Sequence, residues 1–150
     1  MSQPKRTRPI HTPPGGEPIG IKPNEAIIEA IGQEGVFRIL ANVYKRLETA
    51  SIRPLFAADL DTASWRAASY FVEAMGGRHL YSDSYGRPLM RERHLPIEID
   101  EAARVEWLDC FKAALRDDIR DYNFPAEHLE SMETYSDLFS KWMVNVESEA

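Results

Sequence analysis

The run Arg91-Glu92-Arg93-His94-Leu95-Pro96-Ile97 places one imidazole among two guanidinium groups, a carboxylate and a proline. Imidazole titrates near neutral pH and binds transition metals through a neutral ring nitrogen. The other histidines are His11, His79 and His128, and the one cysteine is Cys110. No second histidine or cysteine stands at metal-ligand spacing from His94, so a zinc site has little support. A porphyrin asks less of the protein, because it brings four nitrogen ligands and needs one more. His11 falls in a proline-rich arm and His79 reads as a loop residue. His128 stands among acids at the start of the last helix and reads as exposed.

Residues 78–97, which hold this run, contain Gly86, Pro88 and Pro96 and keep no period for long. An irregular stretch of that length is uncommon in a compact domain and is often functional. The elements that must position it are helical. Asn24 after Pro23 caps a short helix carrying Ile27, Ile28 and Ile31, which Gly32 or Gly35 ends. Val36, Phe37, Leu40, Val43, Tyr44 and Leu47 then trace one face of a second helix. Arg53-Pro54 closes it, because the residue before proline avoids the helical region. Asp61 or Thr62 caps a third helix with Trp65, Ala68, Phe71, Val72 and Met75 on one face. Gly76-Gly77 terminates that helix. Asp100 caps a fourth, with Trp107, Leu108, Phe111, Ala114 and Leu115 at helical spacing, to about Asp121. Pro125 opens a fifth, lined by Leu129, Met132, Ser136, Phe139 and Met143. Nothing alternates with period two for long enough to propose a sheet, so the fold class is all-α.

A chain of 150 residues reads as one domain and buries roughly 70% of its unfolded surface. Residues 1–23 stand apart, with six of the ten prolines and three of the eight glycines. They are expected to form a disordered or loosely packed arm outside a domain spanning 24–150, and to be dispensable for its folding. The arm carries a net charge of +3, residues 98–150 carry −9, and the whole chain is −6. That balance disfavours a nucleic-acid partner. One cysteine permits no internal disulfide. No apolar run reaches membrane-spanning length, and no apolar stretch follows the N-terminal charges. The chain is expected in the cytoplasm, as a monomer or homodimer.

The pattern Gly76-Gly77, Tyr81-Ser82, Gly86-Arg87-Pro88, Arg91-Glu92-Arg93-His94-Leu95-Pro96-Ile97 and Trp107 resembles the truncated haemoglobins, specifically their second group. The tryptophan thirteen residues after the histidine completes the match, and the resemblance runs from about Val36 to Asn145. It implies a two-over-two helical sandwich around a haem b, with an irregular proximal loop.

The same resemblance assigns roles. His94 is the proximal iron ligand, its other ring nitrogen held by a nearby backbone carbonyl. Tyr44 is the distal hydroxyl donor and Trp107 a second donor, because a dioxygen ligand carries partial negative charge. Phe56 lies over the porphyrin, where many relatives have tyrosine. Ala63 and Ala67 are the distal-helix positions nearest iron and leave an open path to it. Arg66, Arg91, Arg93 and Tyr81 are candidates for the propionate edge. Ile97 packs on the porphyrin, as do Leu89, Met90, Leu108 and Phe111, or they pack the proximal core.

The resemblance implies a protein that reversibly binds dioxygen, with carbon monoxide and nitric oxide as further ligands, in an oxygen-transport role. The alternative is a redox enzyme, oxidising nitric oxide with dioxygen or turning over peroxide. No flavin or nicotinamide domain accompanies the residues, so that reading needs an external reductase. No residue is assigned a catalytic role.

Overall fold

The computed structural model describes residues 6–148. The first five residues of the arm and the last two of the expected domain lie outside the described residues. Helix α1 spans Ala26–Leu47. Asn24 opens it: its side-chain oxygen accepts from Ala26 N at 2.9 Å, and its carbonyl accepts from Ile27 N at 3.0 Å. Gly32 breaks it with φ 70 and ψ 173, a conformation essentially restricted to glycine. The expected division between the Ile27 and Val36 segments therefore falls at Gly32, and Gly35 stays helical.

A 3-10 turn over Arg53–Leu55 leads to α2, Leu60–Ala74. The cap is Asp59, two residues before the expected Asp61. Its side chain accepts from Asp61 N and Thr62 N, and its backbone is extended, so both expected caps, Asp61 and Thr62, lie inside the first turn instead. The stretch expected to be irregular contains two short helices, α3 over Leu80–Tyr85 and α4 over Met90–His94. Helix α5 spans Glu101–Asp117, capped by Asp100 as expected. It ends before Asp121, because the chain breaks at Asp118 into a one-turn α6, Ile119–Tyr122. Pro125 precedes a 3-10 turn, Ala126–His128, and α7 spans Leu129–Met143. His128 is half-buried rather than exposed. There is no strand among the described residues.

Helix α1 packs on α2 and on α5, and α5 packs on α7. The shared core holds Val36, Ile39, Leu40 and Val43 from α1, Phe71 and Val72 from α2, and Phe111 and Leu115 from α5. Each such side chain stabilises by about 1.5–3 kcal/mol when fully buried. Phe71 stacks on Phe111 at 5.3 Å, joining α2 to α5. Arg104 ties α5 to α7 by donating to Asp137 at 2.9 Å.

Residues 6–23 form no helix. At one end Pro23 is buried and Ile21 packs on the core. At the other, His11 N donates to Asn145 O at 2.8 Å. Arg8 N donates to the Glu98 carboxylate at 2.8 Å.

Candidate haem site

Helix α4 is five residues long and begins after Leu89, whose backbone is left-handed at φ 40. His94 is its last residue. Nδ1 of His94 lies 2.6 Å from the carbonyl oxygen of Met90. A carbonyl only accepts, so Nδ1 carries the proton and Nε2 keeps its lone pair. Burial lowers the pKa of His94, opposed by the Met90 bond, so the ring is neutral and ligation-competent. No hydrogen-bond partner reaches Nε2 among the described residues.

Tyr44 projects from α1 against Phe56, ring edge to face at 5.7 Å. Burial pushes its phenol up to about 12, with the Arg66 guanidinium pulling the other way. Its hydroxyl has no hydrogen-bond partner among the described residues. Tyr44 and His94 are both strongly desolvated, yet both side chains are only half-buried.

The donor set suits a haem. It offers one neutral imidazole with a free nitrogen. No group of three or more His, Cys, Asp or Glu side chains that could hold a metal occurs among the described residues. A bare cation would find too few ligands here, whereas a macrocycle supplies its own equatorial set.

Two of the expected arginines meet aromatic rings beside this site. Arg66 lies over the Tyr85 ring at 4.7 Å and Arg93 over the Tyr81 ring at 5.3 Å. Arg93 also donates to the carbonyls of Tyr85 and Arg87 at 2.7 and 2.9 Å. Tyr81 and Tyr85 pack at 5.0 Å. Tyr85 was not singled out by the sequence, although it shares a helical turn with Tyr81.

Arg91 does not join this cluster. It is 8% exposed and donates to the carbonyls of Trp142, Val144 and His11 at 2.7, 2.8 and 2.9 Å. Its guanidinium also covers the Trp142 ring at 4.5 Å. With its donors held by the C-terminal segment and the arm, Arg91 is not available at a propionate edge.

Trp107 packs against Phe111 at 5.3 Å and Phe139 at 6.4 Å, and its indole N–H has no partner among the described residues. Ala63 and Ala67 are half-buried on α2. Ile97 N donates to His94 O at 2.9 Å, so Ile97 also fixes the loop backbone. Cys110 is half-buried, and burial pushes its thiol up. A second residue missed is Asn145, fully buried beside His94 and Ile97, whose carbonyls it binds. No periodicity or motif marks an asparagine in a tail.

The sequence profile of the bacterial-like globins matches residues 26–141. The group 2 truncated hemoglobin YjbI of Bacillus subtilis is 31% identical over 102 residues, covering 64% of this chain and 77% of the relative. The solved structure of phosphate-bound Hell's gate globin IV superposes with a TM-score of 0.80 at 32% identity, over 88% of this chain and 82% of that one. The truncated oxygen-avid haemoglobin of Bacillus subtilis superposes with a TM-score of 0.71 at 28% identity, over 79% of this chain and 98% of that one. No helix among the described residues is long and apolar enough to cross a membrane. The profile match over most of the chain, with the likeness to the group 2 relative and to these solved structures, places this chain in the bacterial-like globin family, as a truncated haemoglobin of the second group.

Proposed function

We propose that the chain holds one haem b through His94 and reversibly binds dioxygen. The observation that carries this is the 2.6 Å contact of His94 Nδ1 with Met90 O, which leaves Nε2 free on a neutral, half-buried ring. The haem, when bound, supplies an iron centre that takes diatomic gases. The protein supplies the axial nitrogen, its orientation and the polarity on the other side. Tyr44 and Trp107 offer an O–H and an N–H unpaired among the described residues, and a polar diatomic ligand rewards such donors in a dry site. Phe56 crowds Tyr44 without competing for its proton. Arg66 and Arg93 are the cations we assign to the carboxylates of a porphyrin, Arg93 through the guanidinium nitrogens its bonds to Tyr85 O and Arg87 O leave over, and such pairs orient the group more than they retain it. The relative described as oxygen-avid supports the same ligand.

The test is optical. The purified ferrous protein should change spectrum reversibly on exposure to oxygen and on its removal, and its dissociation rate should be measurable by displacement with carbon monoxide. A protein purified with haem that oxidises at once, with no oxygenated spectrum, would reject oxygen binding while keeping the haem.

A further inference from the structure

A one-turn helix cannot hold itself, because nucleation costs more than its few hydrogen bonds return. The bond from His94 Nδ1 to Met90 O fixes the ring relative to α4, since both residues lie in that helix. It does not fix α4 relative to the molecule. The last carbonyls of any helix also lack partners within it.

Arg91 ties the start of α4 to the C-terminal segment and the arm, and Asn145 meets both needs at the His94 end. It is 0% exposed, and its side-chain amide donates to His94 O at 3.2 Å and Ile97 O at 2.9 Å. Its side-chain oxygen accepts from Ile99 N at 3.2 Å and from Arg6 at 2.9 Å. Its backbone N–H donates to Ile99 O at 2.9 Å. Arg6 then reaches Leu95 O at 2.6 Å, the carbonyl next to that of His94, and Asn145 O at 3.0 Å. The segment after α7, the loop carrying His94 and the arm thus meet at one carboxamide.

We propose that Asn145 is the positioning residue for His94, and that Arg6 brings the arm in as the outer half of the clamp. This rests on His94 being the axial ligand. Asn145 touches no iron; it acts through the His94 carbonyl and the turn after it. Asn145→Asp is the sharpest variant: it keeps the acceptor for Ile99 N and Arg6 but sets an oxygen against the His94 and Ile97 carbonyls.

Two measurements test the clamp. In the ferrous, ligand-free holoprotein, Asn145→Asp should shift or split the iron–histidine Raman band at unchanged haem content, and Arg6→Ala should shift it less, in the same direction. In the apoprotein, the Ile97 amide, which donates to His94 O, should exchange with deuterium at least about tenfold faster in Asn145→Asp, because one lost buried hydrogen bond is worth about that factor and the variant loses the bonds to both the His94 and Ile97 carbonyls. A wild-type band position and wild-type Ile97 exchange in both folded variants would overturn the proposal. If Asn145→Asp does not fold, Arg6→Ala decides by the same two readouts. If the wild-type protein takes up no haem, the axial role of His94 fails, and Ile97 exchange in the apoprotein still decides whether the clamp exists.

Discussion

The imidazole of His94 is oriented by Met90, four residues earlier in its own helix, through a 2.6 Å contact with the Met90 carbonyl. One backbone oxygen therefore selects the tautomer and leaves Nε2 to ligate. His94→Gly should yield protein without normal haem, or with a site restored by added imidazole, read from the Soret band. His11, His79 and His128 should be replaceable without spectral change. An unaltered spectrum in His94→Gly would remove the axial assignment.

Tyr44 and Trp107 come from α1 and α5, and neither donor has a hydrogen-bond partner among the described residues. Losing a donor to a polar ligand costs about 1–1.5 kcal/mol, or roughly a tenfold faster release. Tyr44→Phe and Trp107→Phe should each speed oxygen dissociation by about that factor, measured by stopped flow. Carbon monoxide, less polar when bound, should be released at nearly the wild-type rate. The double variant should fall short of the product of the two, because the donors share one acceptor. Wild-type oxygen release in both single variants would make them packing residues.

The two glycines after α2 are constrained for different reasons, and their alanine variants should differ accordingly. Gly76 has φ +85, so Gly76→Ala meets left-handed strain of about 1–2 kcal/mol. A Cβ on Gly77 would stand 2.8 Å from Val72 Cγ1 and 2.9 Å from the Val72 carbonyl oxygen. Gly77→Ala should therefore cost about 1–3 kcal/mol through overpacking. Urea midpoints should fall in both with unchanged slopes.

Asp59 makes the start of α2 pH-dependent. Hydrogen bonds from the Thr62 hydroxyl and N–H, and from Asp61 N, hold its carboxyl below the ordinary 3.8. A carboxyl depressed in the folded state stabilises above its unfolded pKa, and that contribution disappears as pH falls through the folded value. Asp59→Ala should lower the melting temperature by a few degrees at neutral pH. The gap between variant and wild type should close as pH falls below 3.8 and through the lower folded value. A gap of constant size across that range would show that the side chain acts by something other than its charge.

The long helices were legible because burial writes a period into sequence. The face Val36, Leu40, Val43, Leu47 is buried as read, and Phe71 and Val72 lie in the core as expected. The break at Gly32 was legible as one of two glycines, and backbone conformation chose between them. Helices α3 and α4 were not legible, because six and five residues are too few for a 3.6-residue period to register. Arg91 misled for another reason: an arginine two residues before Arg93 looks like its twin. Its partners lie more than fifty residues away in the chain at Trp142 and Val144, and only the assembled fold brings them near.

The left-handed Leu89 decides the order in which the turn around His94 loosens. A leucine in that region sits about 1–2 kcal/mol above its preferred backbone, and its side chain is 46% exposed, with little packing to hold it there. Arg91, the second residue of α4, is held by the Trp142, Val144 and His11 carbonyls, and the far end of the helix by Asn145 and Arg6, so only Leu89 and Met90 stand ahead of these anchors. Heat should therefore fray this helix from its front, at Leu89 and Met90. The imidazole at its rear is the last group of the turn to let go.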